Sequence, residues 1–197
     1  MSDEIRYEDS MRRMDREQFV RLMKEAVAHL QEGDGAAAIP ILERLAQLYP
    51  DDIGVAINLG GAYILTKQWA LAVELLEIAS QYDPGNPAIW SNLAAAYLGT
   101  LEVSTPENQM KAIVAYERAV ELNPTYPNAH YNLGLIYIDQ GEWVKAQQMF
   151  DRAIRVNPLD RDARKMLARA EELIREDSLK GLNGISTSQP PSNPSLN

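Results

Sequence analysis

The sequence predicts an all-α fold of antiparallel helix pairs stacked side by side, and three observations carry that reading. The chain repeats its own spelling: "VAINLGGAYILT" at 55–66 returns as "AIWSNLAAAYLGT" at 88–100 and as "AHYNLGLIYIDQ" at 129–140. Through and beyond each copy, apolar residues fall three and four apart, the spacing of one face of a helix. Each copy then closes on a proline, which lacks an amide hydrogen and restricts the residue before it. A chain that repeats in this way stacks one supersecondary unit on the next.

Counting from Tyr63, steps of nine, four, three and five reach Ala72, Leu76, Ala79 and Pro84. The same steps from Tyr137 reach Ala146, Phe150, Ala153 and Pro158, and from His29 they reach Ala38, Leu42, Leu45 and Pro50. From Tyr97 they reach Ala112, Tyr116, Ala119 and Pro124 once six extra residues are allowed, so an insert lies between Tyr97 and Ala112. Alanines let helix backbones approach, and Leu, Tyr, Phe and Trp fill the space between them.

In chain order, residues 1–14 read as a charged arm, and Asp15 with Gln18 three residues on forms a capping box for the first helix. The break "EGDG" separates it from a second helix that carries Pro40 near its start, where few hydrogen bonds are lost. That pair makes a unit over 19–52. A second unit, 53–86, is divided at "KQW". The third, 87–126, holds the insert: a longer connection is expected at Gly99 to Ser104, with Thr105-Pro106 capping and opening the next helix. The fourth, 127–160, divides at "QGEW". Residues 161–176, "RDARKMLARAEELIRE", keep helical apolar spacing at Ala163, Met166, Leu167, Ala170 and Leu173 but are charged elsewhere, as suits a helix capping an exposed apolar end. These elements define a helical domain over 15–176. From 177 to 197 the composition turns to Gly, Ser, Asn, Pro and Gln, and a disordered tail is expected.

This spelling, Trp or another residue, two positions, then Asn-Leu-Gly/Ala and a Tyr, followed by Ala, a large apolar residue, Ala and Pro at a 34-residue period, resembles the tetratricopeptide repeat. The resemblance covers about residues 19 to 160, four repeats, with 161–176 in the place of the family's C-terminal solvating helix. It implies a right-handed α-solenoid whose first helices line a concave surface, and a role as a protein-interaction adaptor or scaffold.

Several chemistries are excluded. A formal net charge of −9 disfavours nucleic acid and anionic membranes, both of which need a basic surface. The absence of cysteine removes disulfides, thiolate nucleophiles and cysteine-ligated metal. His29 stands where later units have tyrosine, and His130 where the third has Trp90, so both read as packing residues. No zinc spacing, P-loop or nucleotide fingerprint occurs, and "NLGGAY" sits within a predicted helix, with Gly60 at a helix crossing. Neither a catalytic group, a metal site nor a cofactor is expected. The first residues mix acids and arginines where a secretory signal needs an apolar core, and no run approaches the roughly 20 apolar residues of a membrane span, which points to the cytoplasm.

The expected working surface is the face of the first helices. Aligned on the asparagine, it gives a ladder of Lys24, Asn58, Asn92 and Asn132, preceded by Met23, Ile57, Ser91 and Tyr131 and followed one turn later by Val27, Gly61, Ala95 and Leu135. Trp90, Leu93 and Tyr97 belong to the packed side. A carboxamide both donates and accepts, so a row of them suits the backbone of an extended peptide, with Gly61 and Ala95 leaving room. The family's carboxylate clamp would need Lys at Met23, Asn at Val27, Lys at Ala88 and Arg at Asn92; only Asn58 matches. The expectation is therefore a protein partner that supplies an extended segment. The alternatives are a self-assembling homo-oligomeric module and a small enzyme with a site of unrecognised type.

Overall fold

The computed structural model describes residues 15–185, with side chains through Lys180. The helices among the described residues are α1 (Arg16–Gln31), α2 (Gly35–Leu48), α3 (Ile53–Leu65), α4 (Trp69–Tyr82), α5 (Pro87–Leu98), α6 (Pro106–Leu122), α7 (Ala129–Asp139), α8 (Trp143–Val156) and α9 (Arg161–Ile185), with a 3-10 turn at Leu101–Val103. The fold is all-α, as the periodicity predicts, and no described helix is long and apolar enough to cross a membrane. The expected arm, 1–14, lies outside the described residues.

Local chemistry sets the helix starts. Asp15 accepts from the Gln18 amide at 2.7 Å, Asp34 from Ala37 at 3.0 Å, Asp52 from Val55 at 2.9 Å and Thr105 from Asn108 at 3.2 Å, each satisfying an amide that has no partner within its helix. The turn inside a pair needs one residue in the left-handed region, and Gly33 (φ 79°), Lys67 (φ 60°) and Gly141 (φ 74°) take the same place in three repeats. Two of the three are glycine, which enters that region without the Cβ conflict.

The chain forms two compact units, Met1–Ala129 and His130–Asn197. In the first, α1 packs on α2, α3 on α4 and α5 on α6, while α1 touches α3, and α3 touches α5. First helices therefore pack on one another, and α2 and α4 each bridge to the first helix of the next pair. Ala26, Ala38, Leu42, Leu59, Ala62, Tyr63, Ala72, Leu76 and Leu93 share one buried core. The crossing inside a pair is tight: a methyl on Gly60 would stand 2.8 Å from Leu76. Val55, Leu59, Ile89 and Leu93 are buried, whereas α1 carries Arg21 and Glu25 at the corresponding places, both exposed. The first pair thus presents a solvated outer end.

In the second unit, α9 packs on α8, with Ala146, Phe150 and Ala170 fully buried and Met166 and Leu167 packed against them. Here the crossing is tighter still, with a methyl on Gly134 standing 2.6 Å from the Phe150 ring.

The longer connection and the helix start at Thr105-Pro106 fall where expected, the extra length is shared with the helix that follows, and one boundary, the end of the last helix, differs. The six extra residues of the third pair do not all lie in the connection. Gly99–Thr105 is four residues longer than Thr66–Gln68, and α6 runs for 17 residues where α4 has 14. Pro106 fits the first turn and the helix-forming "ENQMK" carries the helix on, burying Gln109 to 6% exposure. The last helix does not stop at 176 but continues to Ile185, so the expected tail begins too early. Glu176, Leu179 and Lys180 favour helix, and Ser178 does not break it because its hydroxyl donates to the Ile174 carbonyl at 2.8 Å. Residues 186–197 lie outside the described residues.

The Gly134 crossing generates a test. Phe150→Ala should cost about 3–5 kcal/mol and Gly134→Ala about 1–3 kcal/mol, measured by denaturant unfolding of the full chain. The double variant should cost clearly less than the sum, because the added methyl enters the space the ring vacates. Strict additivity would mean that the two side chains do not compete for one volume.

Candidate functional site

Carboxamides on α3 and α5 lie half-buried on the first helices and are held by backbone. Asn58 donates through Nδ2 to the Gly54 carbonyl one turn earlier, at 2.7 Å. Asn92 donates through Nδ2 to the Ile57 carbonyl of the neighbouring pair, at 3.3 Å. A carbonyl can only accept, so these contacts fix which end of each amide is nitrogen and leave Oδ1 as the acceptor end. Gly61 borders the pair, and a methyl there would stand 3.9 Å from the Asn92 Nδ2, in ordinary contact distance.

The other expected positions divide between the two units. Lys24 is exposed on α1, and Met23, Val27, Ile57, Ser91 and Ala95 are half-buried in the first unit, with Met23 packing against its core. Asn132, Tyr131 and Leu135 belong to the second unit. Asn132 is half-buried and has a bonding partner of its own. Tyr131 stands edge-on to Phe150 with ring centroids 5.8 Å apart, and Leu135 packs on the same cluster, so both contribute to that unit's core. The structure therefore brings together Asn58 and Asn92, with Ile57 and Gly61 between them.

Charge is sorted by helix. The sequences of α3 and α5 contain no Asp, Glu, Lys, Arg or His, while α4 has Glu74 and Glu77, and α6 has five charged side chains. The first-helix face over α3 and α5 is thus neutral in a protein of net charge −9. Among the described residues no group of three His, Cys, Asp or Glu could hold a metal ion. His29 is half-buried, His130 is 7% exposed, and the two fall in different units.

Sequence reasoning missed one recurring polar contact. Tyr63 donates its hydroxyl to Glu43 at 2.9 Å, and Tyr97 donates to Glu77 at 2.6 Å, each joining a first helix to the second helix of the preceding pair. The signal was present, because each glutamate lies 20 residues before its tyrosine. Trp90 makes a similar tie, its indole N–H donating to the Pro84 carbonyl at 2.9 Å. Burial, then the hydrogen bond and charge of Glu43, pushes the Tyr63 hydroxyl up to about 12. Burial and Glu77 push Tyr97 upward in the same way.

Both phenols therefore hold their protons more tightly when folded than when unfolded. The unfolded chain releases them near pH 10, so the contribution is complete below that pH and is lost as the pH rises through the folded values. Thermal melting followed from pH 9 to pH 12 should show a shallower alkaline decline in Tyr63→Phe and Tyr97→Phe than in the parent. Parallel declines in all three proteins would separate these tyrosines from the alkaline response.

Comparison with known proteins places this geometry. Family profiles described as tetratricopeptide repeat match residues 29–96 and 127–159, and one described as TPR repeat matches 108–141. Among solved structures, the chain is similar to a thermophilic TPR protein in Thermus thermophilus, at TM-score 0.68 and 21% identity over 88% of this chain and 92% of that one. It is similar also to MamA AMB-1, at TM-score 0.62 and 24% identity over 83% and 94%, and to MamA from Desulfovibrio magneticus RS-1, at TM-score 0.58 and 22% identity over 71% and 76%. At such identities the likeness is one of fold. A search of the curated proteins finds no match.

Proposed function

Because the chain belongs to the tetratricopeptide repeat family, whose repeats serve as protein-interaction scaffolds, we propose that it is a non-catalytic adaptor that holds an extended segment of a partner protein against the first helices. The observation that carries the reading is the pair Asn58 and Asn92, each half-buried and each donating one amide hydrogen to a backbone carbonyl, which keeps Oδ1 as the acceptor end of the amide. Such an acceptor takes a peptide N–H and makes no demand on the side chain beside it. The neutral faces of α3 and α5 suit a segment without a high charge density at that point. Lys24 occupies the same register on α1 and gives the row a cationic end. Asn132, with Tyr131 and Leu135 packed beside it, serves the second unit's own surface.

Head-to-tail assembly through the first pair is the less favourable reading, because Arg21 and Glu25 stand solvated where such an interface would need the apolar residues of Val55 and Leu59.

The test uses a nine-residue peptide selected against the full chain from a randomised library. Each asparagine that accepts from the ligand backbone should contribute on the order of 1 kcal/mol, so Asn58→Ala with Asn92→Ala should weaken the peptide about thirtyfold by titration calorimetry. Melting should respond unequally. Asn58→Ala should be nearly neutral, because alanine is the better helix former, while Asn92→Ala should cost up to about 1 kcal/mol through loss of the bond to Ile57. Full affinity in the double variant would place the peptide elsewhere.

A further inference from the structure

The repeats supply an internal control for which surface positions carry charge. Two places on each second helix, seven residues apart, read Lys111 and Arg118 in α6, Lys145 and Arg152 in α8, and Ala37 and Arg44 in α2. At the same register α4 has Leu71 and Ile78, and these are 44% and 49% exposed. Tyr82, four residues on, is 73% exposed, and Leu75 lies between them, half-buried against the core. Scattered apolar residues on a surface need no explanation, but Leu71 and Ile78, exposed on one seam at the two places where α6 and α8 carry cations, do.

Leu71, Leu75, Ile78 and Tyr82 follow at steps of four, three and four, the apolar period by which one helix seats the knobs of another. The charged side chains of α4 are Glu74 and Glu77, both exposed, and the helix carries no cation. We propose that this face of α4 docks a cationic amphipathic helix of a partner protein, at a site separate from the first-helix face. The period selects a helix over a strand, which would need alternate residues. Glu77 holds the Tyr97 hydroxyl and has Lys111 near it, so it is Glu74, within a chain of net charge −9, that selects lysine or arginine beside the partner's apolar seam and speeds its approach. A second copy of the chain fits less well, since pairing two α4 helices would bring carboxylates together with no cation on either.

The test uses two fluorescein-labelled 21-residue helical peptides with leucine at the seam positions and either lysine or glutamate flanking them, titrated with the full chain by anisotropy at low salt. The lysine peptide should bind at least tenfold more tightly than the glutamate peptide. Leu71→Lys with Ile78→Arg, which installs the residues that α6 and α8 already carry, should remove at least tenfold of that affinity without lowering the melting temperature. Glu74→Lys, a single exposed change, should weaken the lysine peptide and strengthen the glutamate peptide, and so reads the charge preference even if the first variant unfolds. Equal binding of both peptides, or affinity indifferent to these substitutions, overturns the proposal. Sedimentation that shows a dimer of the parent chain and a monomer of the Leu71→Lys/Ile78→Arg variant overturns it as well, by assigning the seam to a second copy.

Discussion

Close approach of two helix backbones at a residue too small to hold them apart is the constraint on which the other features rest. At Gly60 and Gly134 even a methyl would meet the side chain opposite, and at the same register α1 and α5 carry Ala26 and Ala94, both fully buried. A crossing this near lets a large residue of the second helix, Leu76 or Phe150, press against backbone, where it gains dispersion contacts over its whole surface. Once the crossing is fixed, so is the rotation of the first helix about its axis. That rotation turns Tyr63 and Tyr97 toward glutamates of the preceding pair and leaves Asn58 and Asn92 on the opposite flank.

Between pairs the cohesion has two parts. Apolar burial is one, with Leu59 and Leu93 in a core cluster that takes in residues of neighbouring pairs, and it has no strong direction. The tyrosine–glutamate bonds and the Asn92 bond to Ile57 add direction, because each links groups 20 or 35 residues apart and is satisfied at one offset of neighbouring pairs. Pairs touch chiefly their neighbours, so the connection inside the third pair can lengthen, and α6 with it, while α5 and α6 still pack on each other.

Much of this was legible in the sequence, because the constraint that builds the fold also writes the repeat. The small residue at each crossing, the large one that follows Tyr63 and Tyr137 by thirteen positions and Tyr97 by nineteen, and the proline at the end of each unit recur, and they make the order of the helix pairs readable. Caps such as Asp15 and Thr105 act locally and were equally readable. The end of α9 was not, since Ser178 favours a turn until its hydroxyl finds the Ile174 carbonyl. At the candidate site the sequence placed Asn58 and Asn92 on one face but could not show where their amide hydrogens go, which depends on a backbone carbonyl one turn or one pair away. Tyr131 illustrates the opposite failure. Its register matches Ile57 and Ser91, yet its ring is large enough to reach Phe150 and become core.

The sorting of charge between helices has a consequence for how the protein answers its surroundings. Interactions over α3 and α5, which carry no ionised side chain, are made of hydrogen bonds and apolar contact, and dissolved ions screen neither. The exposed carboxylates of α4 sit within a field that contracts from about 30 Å at 0.01 M salt to about 8 Å at 0.15 M. Ionic strength therefore acts on the face of α4 and has little effect over α3 and α5. A scaffold built in this way can retain what lies on its neutral side while a change of salt loosens what lies on its acidic side, with no movement of the helices themselves.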